Sequence, residues 1–258
     1  MLLLQNGLNN ITGDPTLDDE KAFQLDWAWQ LETRSTRLGC RAFHQWALDY
    51  ITFENTQVVR VPPDGDVAQT NLRYVNTDLA TFTGFEAFGE ALPDSMLTPY
   101  FTMNYVDGRD RSRDGGFATS NGSAGNASEK IFGTIRGAFS GVVGSDAEPL
   151  PGISPLETRI GLRFHDTSPE RLWAVDVESR IVAAQNRVAT SLLETTTPGF
   201  TIWNVRGIFK LTESLNLTTG IENFTDRQYR EHLDFRTQSG LAVYQPGFNF
   251  YVGAAATY

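Results

Sequence analysis

Three histidines, one cysteine and scattered carboxylates are the residues of this chain that can serve as ligands, acids, bases or nucleophiles. His44, His165 and His232 lie too far apart for the ligand spacing of a zinc site, and Cys40 stands alone, so neither a zinc cluster nor an internal disulfide framework is expected. His165, Asp166 and Ser168 form the one local group with the residue types of a hydrolytic triad, a chemistry that needs a hydroxyl within reach of an imidazole oriented by a third group. Asp107, Asp110 and Asp114 suggest a calcium loop, but Arg109, Arg111 and Arg113 alternate with them and repel a cation. Asp176 with Glu178, and Glu157 beside Arg159, have the makings of acid/base or ion pairs. The expectation is no catalytic centre, no metal site and no cofactor.

The elements that must position these residues have a hydrophobic period of 2, the period of a strand with one apolar and one polar face. Phe23, Leu25, Trp27, Trp29 and Leu31 alternate with Gln24, Asp26, Ala28, Gln30 and Glu32. The pattern recurs at Leu156 to Phe164, Trp173 to Ile181, Val205 to Leu211, Leu215 to Ile221 and Phe248 to Tyr258, with less regular runs at about 36 to 53, 70 to 91 and 96 to 108. Most of these nine predicted strands are near or above the 9 to 11 residues, roughly, that cross a bilayer at a tilt, too long for the usual soluble strand of about five or six.

No window approaches the run of about 18 apolar residues that a membrane-crossing helix needs. The net charge of −10 argues against nucleic acid as a partner. Residues 1 to 10 carry a leucine run with no positive flank and no cleavage site, so they do not read as a signal peptide, and either the chain is cytosolic or its natural start lies upstream.

Connections alternate in length. Short polar turns fall at Arg34 to Thr36, Leu92 to Ser95, Thr167 to Glu170 and Thr212 to Ser214, and long loops at about 54 to 69, 109 to 153, 187 to 198 and 226 to 245. That alternation is the mark of an outer-membrane barrel, with short periplasmic turns and long extracellular loops. The fold class expected is all-β, an antiparallel transmembrane β-barrel represented by about nine strands of a larger one. With nine strands the first and last run the same way, so at least one more strand is needed upstream.

Six stretches, in order, resemble the C-terminal half of the barrel of TonB-dependent outer-membrane receptors. GDPTLDDEKAFQLDWAWQLE (13 to 32) is similar to the family's loop leading into an alternating strand, and YVNTDLATFTGFEAFGEALP (74 to 93) to a strand and its periplasmic turn. LPGISPLETRIGLRF (150 to 164) and TPGFTIWNVRG (197 to 207) resemble re-entry points into the barrel. IENFTDRQYREHLDF (221 to 235) is similar to a box near the end of such receptors, although Thr225 stands where that box usually has Phe. PGFNFYVGAAATY (246 to 258) resembles the closing strand, with Phe248 in place of the Arg common after Pro-Gly.

The resemblance implies a fragment of a receptor for TonB-dependent uptake of a ferric siderophore, haem or cobalamin, sited in a Gram-negative-type outer membrane and not an enzyme. It implies that the plug domain, through which TonB acts, is missing, so the chain alone is not expected to transport. Phe248, Phe250, Val252, Ala254, Ala256 and Tyr258 resemble the terminal signal read by the barrel-assembly machinery. His232, in a predicted extracellular loop, is the candidate for ligand contact. Trp173 and Trp203 suit the interfacial aromatic belts, whereas Tyr100 and Tyr251 fall on the lumen side by alternation. Two other readings stay open: a complete passive barrel, and a secreted β-protein with both strand faces covered.

Overall fold

The computed structural model of the chain describes residues 9–60, 68–91, 96–112, 147–192, 194–234 and 242–257. Among the described residues nine antiparallel strands form one sheet: β2 (Lys21–Glu32), β3 (Thr36–Arg60), β4 (Ala68–Ala91), β5 (Leu97–Asp110), β6 (Glu157–His165), β7 (Trp173–Val182), β8 (Phe200–Thr212), β9 (Leu215–Glu222) and β10 (Asn249–Ala256). Each pairs with its sequence neighbours, so β2 and β10 are the two edges of the path. A further short strand, β1 (Asn9–Thr12), which the hydrophobic period does not reveal, runs parallel to Thr70–Arg73 of β4.

The register keeps one face continuous across all nine strands. Leu31, Trp29, Trp27, Leu25 and Phe23 of β2 lie opposite Leu38, Cys40, Ala42, His44 and Trp46 of β3. The same row set continues through Gly89, Ala87 and Phe85 of β4, then Phe101, Met103 and Tyr105 of β5. It runs on through Ile160, Leu162 and Phe164 of β6 to Phe250, Val252, Ala254 and Ala256 of β10. A one-residue slip in any strand would invert its faces, which is why the alternation reads so clearly in the sequence.

This apolar face is bare. Phe23, Leu25 and Trp27 are 65%, 62% and 58% exposed, and Phe248, Phe250 and Val252 are exposed to a similar degree. A contiguous apolar surface of this kind marks a membrane or partner contact. No described element covers it, contrary to what a soluble two-layer β-protein requires.

The opposite face carries polar residues and cross-strand aromatic–glycine pairs, among them Phe88 on Gly39, Phe43 on Gly84, Tyr100 on Gly161 and Tyr251 on Gly220. A Cβ on Gly161 would lie 2.3 Å from Tyr100 Cζ, so the missing side chain is what lets the ring lie flat on the wall. These pairs confirm that Tyr100 and Tyr251 face inward.

β3 and β4, at 25 and 24 residues, would each extend about 80 Å at strand rise, far more than a bilayer needs. Their upper parts stand above the wall. At Asp49, φ is 54°, a left-handed conformation, and there the alternation changes phase. Ala47 below it and Tyr50 above it belong to the same cluster, with Ala80, Phe82, Leu150 and Ile153.

The short connections all fall at one rim, at Thr33–Ser35, Asp166–Leu172 and Glu213–Ser214 among the described residues, and the long ones at the other. The predicted turn at Leu92 to Ser95 and residues 113–146 of the long loop lie outside the described residues.

Candidate functional site

Alternation in β6, β7 and β8 puts a charged ladder on the inner wall. Arg163 Nε donates to Asp176 Oδ1 at 2.8 Å. Arg159 bonds Glu157 at 2.8 Å and Glu178 at 3.4 Å, and Glu178 also faces Arg206 at 3.7 Å and accepts from the Tyr100 hydroxyl at 3.3 Å. Arg180 ties Glu157, at 2.6 Å, to Glu231 of the β9–β10 loop, at 2.5 Å. The groups singled out in the sequence, Asp176 with Glu178 and Glu157 beside Arg159, are thus members of one ladder in which each carboxylate meets at least one guanidinium. Charge-assisted bonds of this kind suit a polar lumen lining.

Above the wall, the long loops meet at two buried carboxylates. Glu194 accepts from the Gly152 N–H at 2.8 Å and the Ala189 N–H at 2.6 Å, and its Oε1 lies 3.2 Å from His232 Nε2. It therefore joins the β5–β6, β7–β8 and β9–β10 connections. Glu148 accepts from the Ser191 N–H and Oγ at 2.7 and 2.6 Å and from the Thr190 hydroxyl at 3.0 Å, holding the 3-10 turn Thr190–Leu192. Leu192 and Ala189 pack beside it on Phe53 and Leu72 of the extended strands.

His232 is 4% exposed and its Nδ1 lies 2.9 Å from Thr197 Oγ1. The sequence placed it in an extracellular loop, and the fold places it inside the knot that those loops make. Sequence reasoning missed Glu148 and Glu194, because aperiodic loops carry no spacing that announces a buried acid.

The triad-like group separates. Ser168 gives its hydroxyl and its N–H to Asp166, whereas His165 turns to Thr98 Oγ1, at 3.1 Å, and to the Asp166 carbonyl, at 3.0 Å. Asp166 is a turn-former, and its bonds from the Ser168 hydroxyl, then from the Leu172 and Ser168 N–H groups, hold its carboxyl below the usual carboxylate range. Asp107 and Asp110 point to opposite faces: Asp107 bonds Arg109 and Arg187, each at 2.9 Å, and Asp110 accepts from Thr77 at 2.5 Å. Asp114 and Arg113 lie outside the described residues.

The predicted terminal motif is a strand edge. Phe250, Val252, Ala254 and Ala256 pair with Ile221, Thr219, Leu217 and Leu215, and the Phe248 N–H bonds Asp226 Oδ1 at 2.9 Å just before the strand begins. Tyr258 lies outside the described residues.

A sheet with one bare apolar face, one charged face and loops of alternating length is a barrel wall. A family model for the TonB dependent receptor-like β-barrel matches residues 4–224. The chain belongs to that family. TonB-dependent receptor barrels are proteins of the Gram-negative outer membrane, and the family is one of receptors and transporters.

Solved structures agree with the fold. The copper transporter OprC aligns over 95% of this chain and 32% of its own, at 20% identity and a TM-score of 0.70. The FrpB iron transporter from Neisseria meningitidis (F3-3 variant) aligns over 97% and 32%, at 13% identity and a TM-score of 0.58. The ferric yersiniabactin uptake receptor FyuA from Yersinia pestis aligns over 92% and 30%, at 13% identity and 0.54. The chain spans about a third of the length of each. Among curated proteins, none matches.

Proposed function

We propose that this chain is the C-terminal part of the barrel of an outer-membrane receptor that takes up a scarce metal or metal chelate, in the class of ferric siderophores, haem and cobalamin, by TonB-dependent transport. The observation that carries this reading is the incomplete wall: nine strands with a bare lipid-type face, a charged inner face, and two edges that run in the same direction. Neighbours named for copper, iron and ferric yersiniabactin support a metal-bearing cargo.

On this reading the strands sit in outer-membrane lipid and the closing strand, with Phe248, Phe250, Val252, Ala254, Ala256 and Tyr258, is what the barrel-assembly machinery engages. The knot of Glu148, Glu194 and His232 shapes the extracellular mouth. Ligand contact by His232 requires that knot to open, since the ring is enclosed between Thr197 and Glu194. Coupling to TonB goes through a plug domain that a C-terminal barrel portion does not supply.

Cells carrying only this chain are therefore expected to accumulate no labelled ferric siderophore beyond a strain lacking TonB. Energised accumulation by such cells overturns the proposal. Sequencing the DNA immediately upstream tests it independently, since an in-frame stretch encoding a plug and earlier strands is expected there.

A further inference from the structure

On the outward face of β3, β4 and β5 the side chains change from apolar to largely polar, while Leu25 and Phe23 keep the same rows apolar on β2. The rows Cys40–Ala87–Met103 and Ala42–Phe85–Tyr105 are apolar or aromatic, and the next two rows on the same face are His44–Thr83–Asp107 and Trp46–Thr81–Arg109. Three guanidiniums gather at that step. Arg109 Nε bonds Asp107 Oδ2 at 2.9 Å and its Nη1 reaches the Ala147 carbonyl at 3.3 Å. Arg111 Nε donates to Thr81 Oγ1 at 2.9 Å.

Arg187 comes from the β7–β8 connection and crosses to this outer side. Its guanidinium lies 4.4 Å from the centre of the Tyr105 ring, and its Nη1 bonds the Tyr105 hydroxyl at 2.5 Å and Asp107 Oδ1 at 2.9 Å. Arg109 and Arg187 share one bonded carboxylate, Asp107, and Arg111 bonds Thr81. Farther along, Lys21 and Asp49 pair at 3.2 Å and add no net charge. In a chain of net charge −10, this is a local concentration of positive charge. Each guanidinium carries five N–H donors, and the bonds above use one or two per residue.

We infer that this outward patch, Arg109, Arg111 and Arg187 above Tyr105 and Phe85, docks the phosphate-bearing headgroup of a lipid in the outer leaflet. The inference rests on the proposed outer-membrane placement. A bilayer brings its headgroup phosphates to the level where the apolar face ends, and the planar fork of arginine matches phosphate oxygens two at a time. Trp46, edge-on to His44 at 4.2 Å and beside Phe23 at 5.7 Å, supplies an aromatic flank of the kind favoured at that level. A soluble cargo is the lesser fit, because the patch faces away from the charged inner wall on which such a cargo would pass.

The test uses the full 258-residue chain assembled in outer membranes with the remaining strands supplied in trans and then extracted, with diphosphorylated lipid A and the same lipid stripped of phosphate as probes. The diphosphorylated form is expected to bind at least about tenfold more tightly, as a few charge-assisted hydrogen bonds would give, and to weaken as salt is raised. Replacing Arg109, Arg111 and Arg187 together by Gln should abolish that difference, while Arg227→Gln, at an exposed arginine of the β9–β10 loop, should leave it. Equal binding of the two lipids overturns the inference, as does a triple variant with wild-type affinity and an unchanged amide circular dichroism spectrum. Should the triple variant fail to fold, Arg111→Gln, which loses a bond to Thr81 alone, must still lower phosphate-dependent binding about threefold. A chain found in membranes whose lipid binding ignores phosphate sinks only this inference. A chain recovered without any membrane sinks the outer-membrane reading and this one with it.

Discussion

At the scale of single residues, the most consequential side chain is one that has no place in any motif. Glu194 has two oxygens and three partners on three different connections: the Gly152 and Ala189 N–H groups and His232. A buried carboxylate that accepts backbone N–H groups is costly to alter, because the donors left behind have no water to turn to. Glu194→Gln keeps the shape but turns an NH2 toward a donor, and should weaken the loop packing by about 1–3 kcal/mol. The readout is protease added to intact cells in which the remaining strands are supplied in trans, which should cut within residues 183–199 faster than in the parent while the wall strands stay protected. A different single-residue effect concerns Asp166 at the opposite rim. Its carboxyl is depressed, first by the Ser168 hydroxyl, so its contribution to the turn is present above the unfolded carboxylate value of about 3.9 and is lost as pH falls through the lower folded value. The protection of the Ser168 and Leu172 amides against hydrogen exchange, divided by that in Asp166→Ala, should be constant above about pH 5 and fall toward one below it. A ratio that grows on acidification would contradict this assignment.

At the scale of elements, the wall was legible in the sequence because a strand with lipid on one side and water on the other must alternate, and alternation survives without any knowledge of partners. Phe23 to Leu31 is the clearest case, and every residue of that run is exposed on the face predicted for it. β1 escaped because four residues paired in parallel to a strand extension need no apolar period. The phase change at Asp49 escaped because a left-handed aspartate looks, in sequence, like any other polar residue. The knot of Glu148, Glu194 and His232 escaped for a further reason: its members come from separate connections and acquire meaning only when the strands bring those connections together. The glycines were visible but their use was not. Gly161 exists to seat Tyr100, with 2.3 Å left for a Cβ, so Gly161→Ala should push the ring off the wall and cost about 1–3 kcal/mol. In Gly161→Ala with Tyr100→Ala the clash disappears. The double variant should therefore be no less stable than Tyr100→Ala alone, and an additive loss in thermal melts of the barrel assembled with the remaining strands in trans would show that the pair is not coupled.

At the scale of the molecule, direction decides what the sheet can become. Chain direction reverses at each of the eight antiparallel junctions from β2 to β10, so these two edges run the same way, toward the rim of short turns. They cannot pair antiparallel with each other, and joining two copies repeats the mismatch, because β10 of one would again meet β2 of the next in parallel. In lipid an unpaired edge leaves N–H and C=O groups with no water to satisfy them, at several kcal/mol for each group by rough reckoning. Closure therefore needs an odd number of additional strands between β10 and β2. The expected result is that the 258 residues alone give no band that shifts on heating in detergent electrophoresis, whereas supplying the remaining strands in trans, as an odd-numbered segment, produces one. A heat-shifting, protease-resistant species from this chain alone would mean that nine strands do close, through a parallel seam, and the passive-barrel reading would replace the receptor.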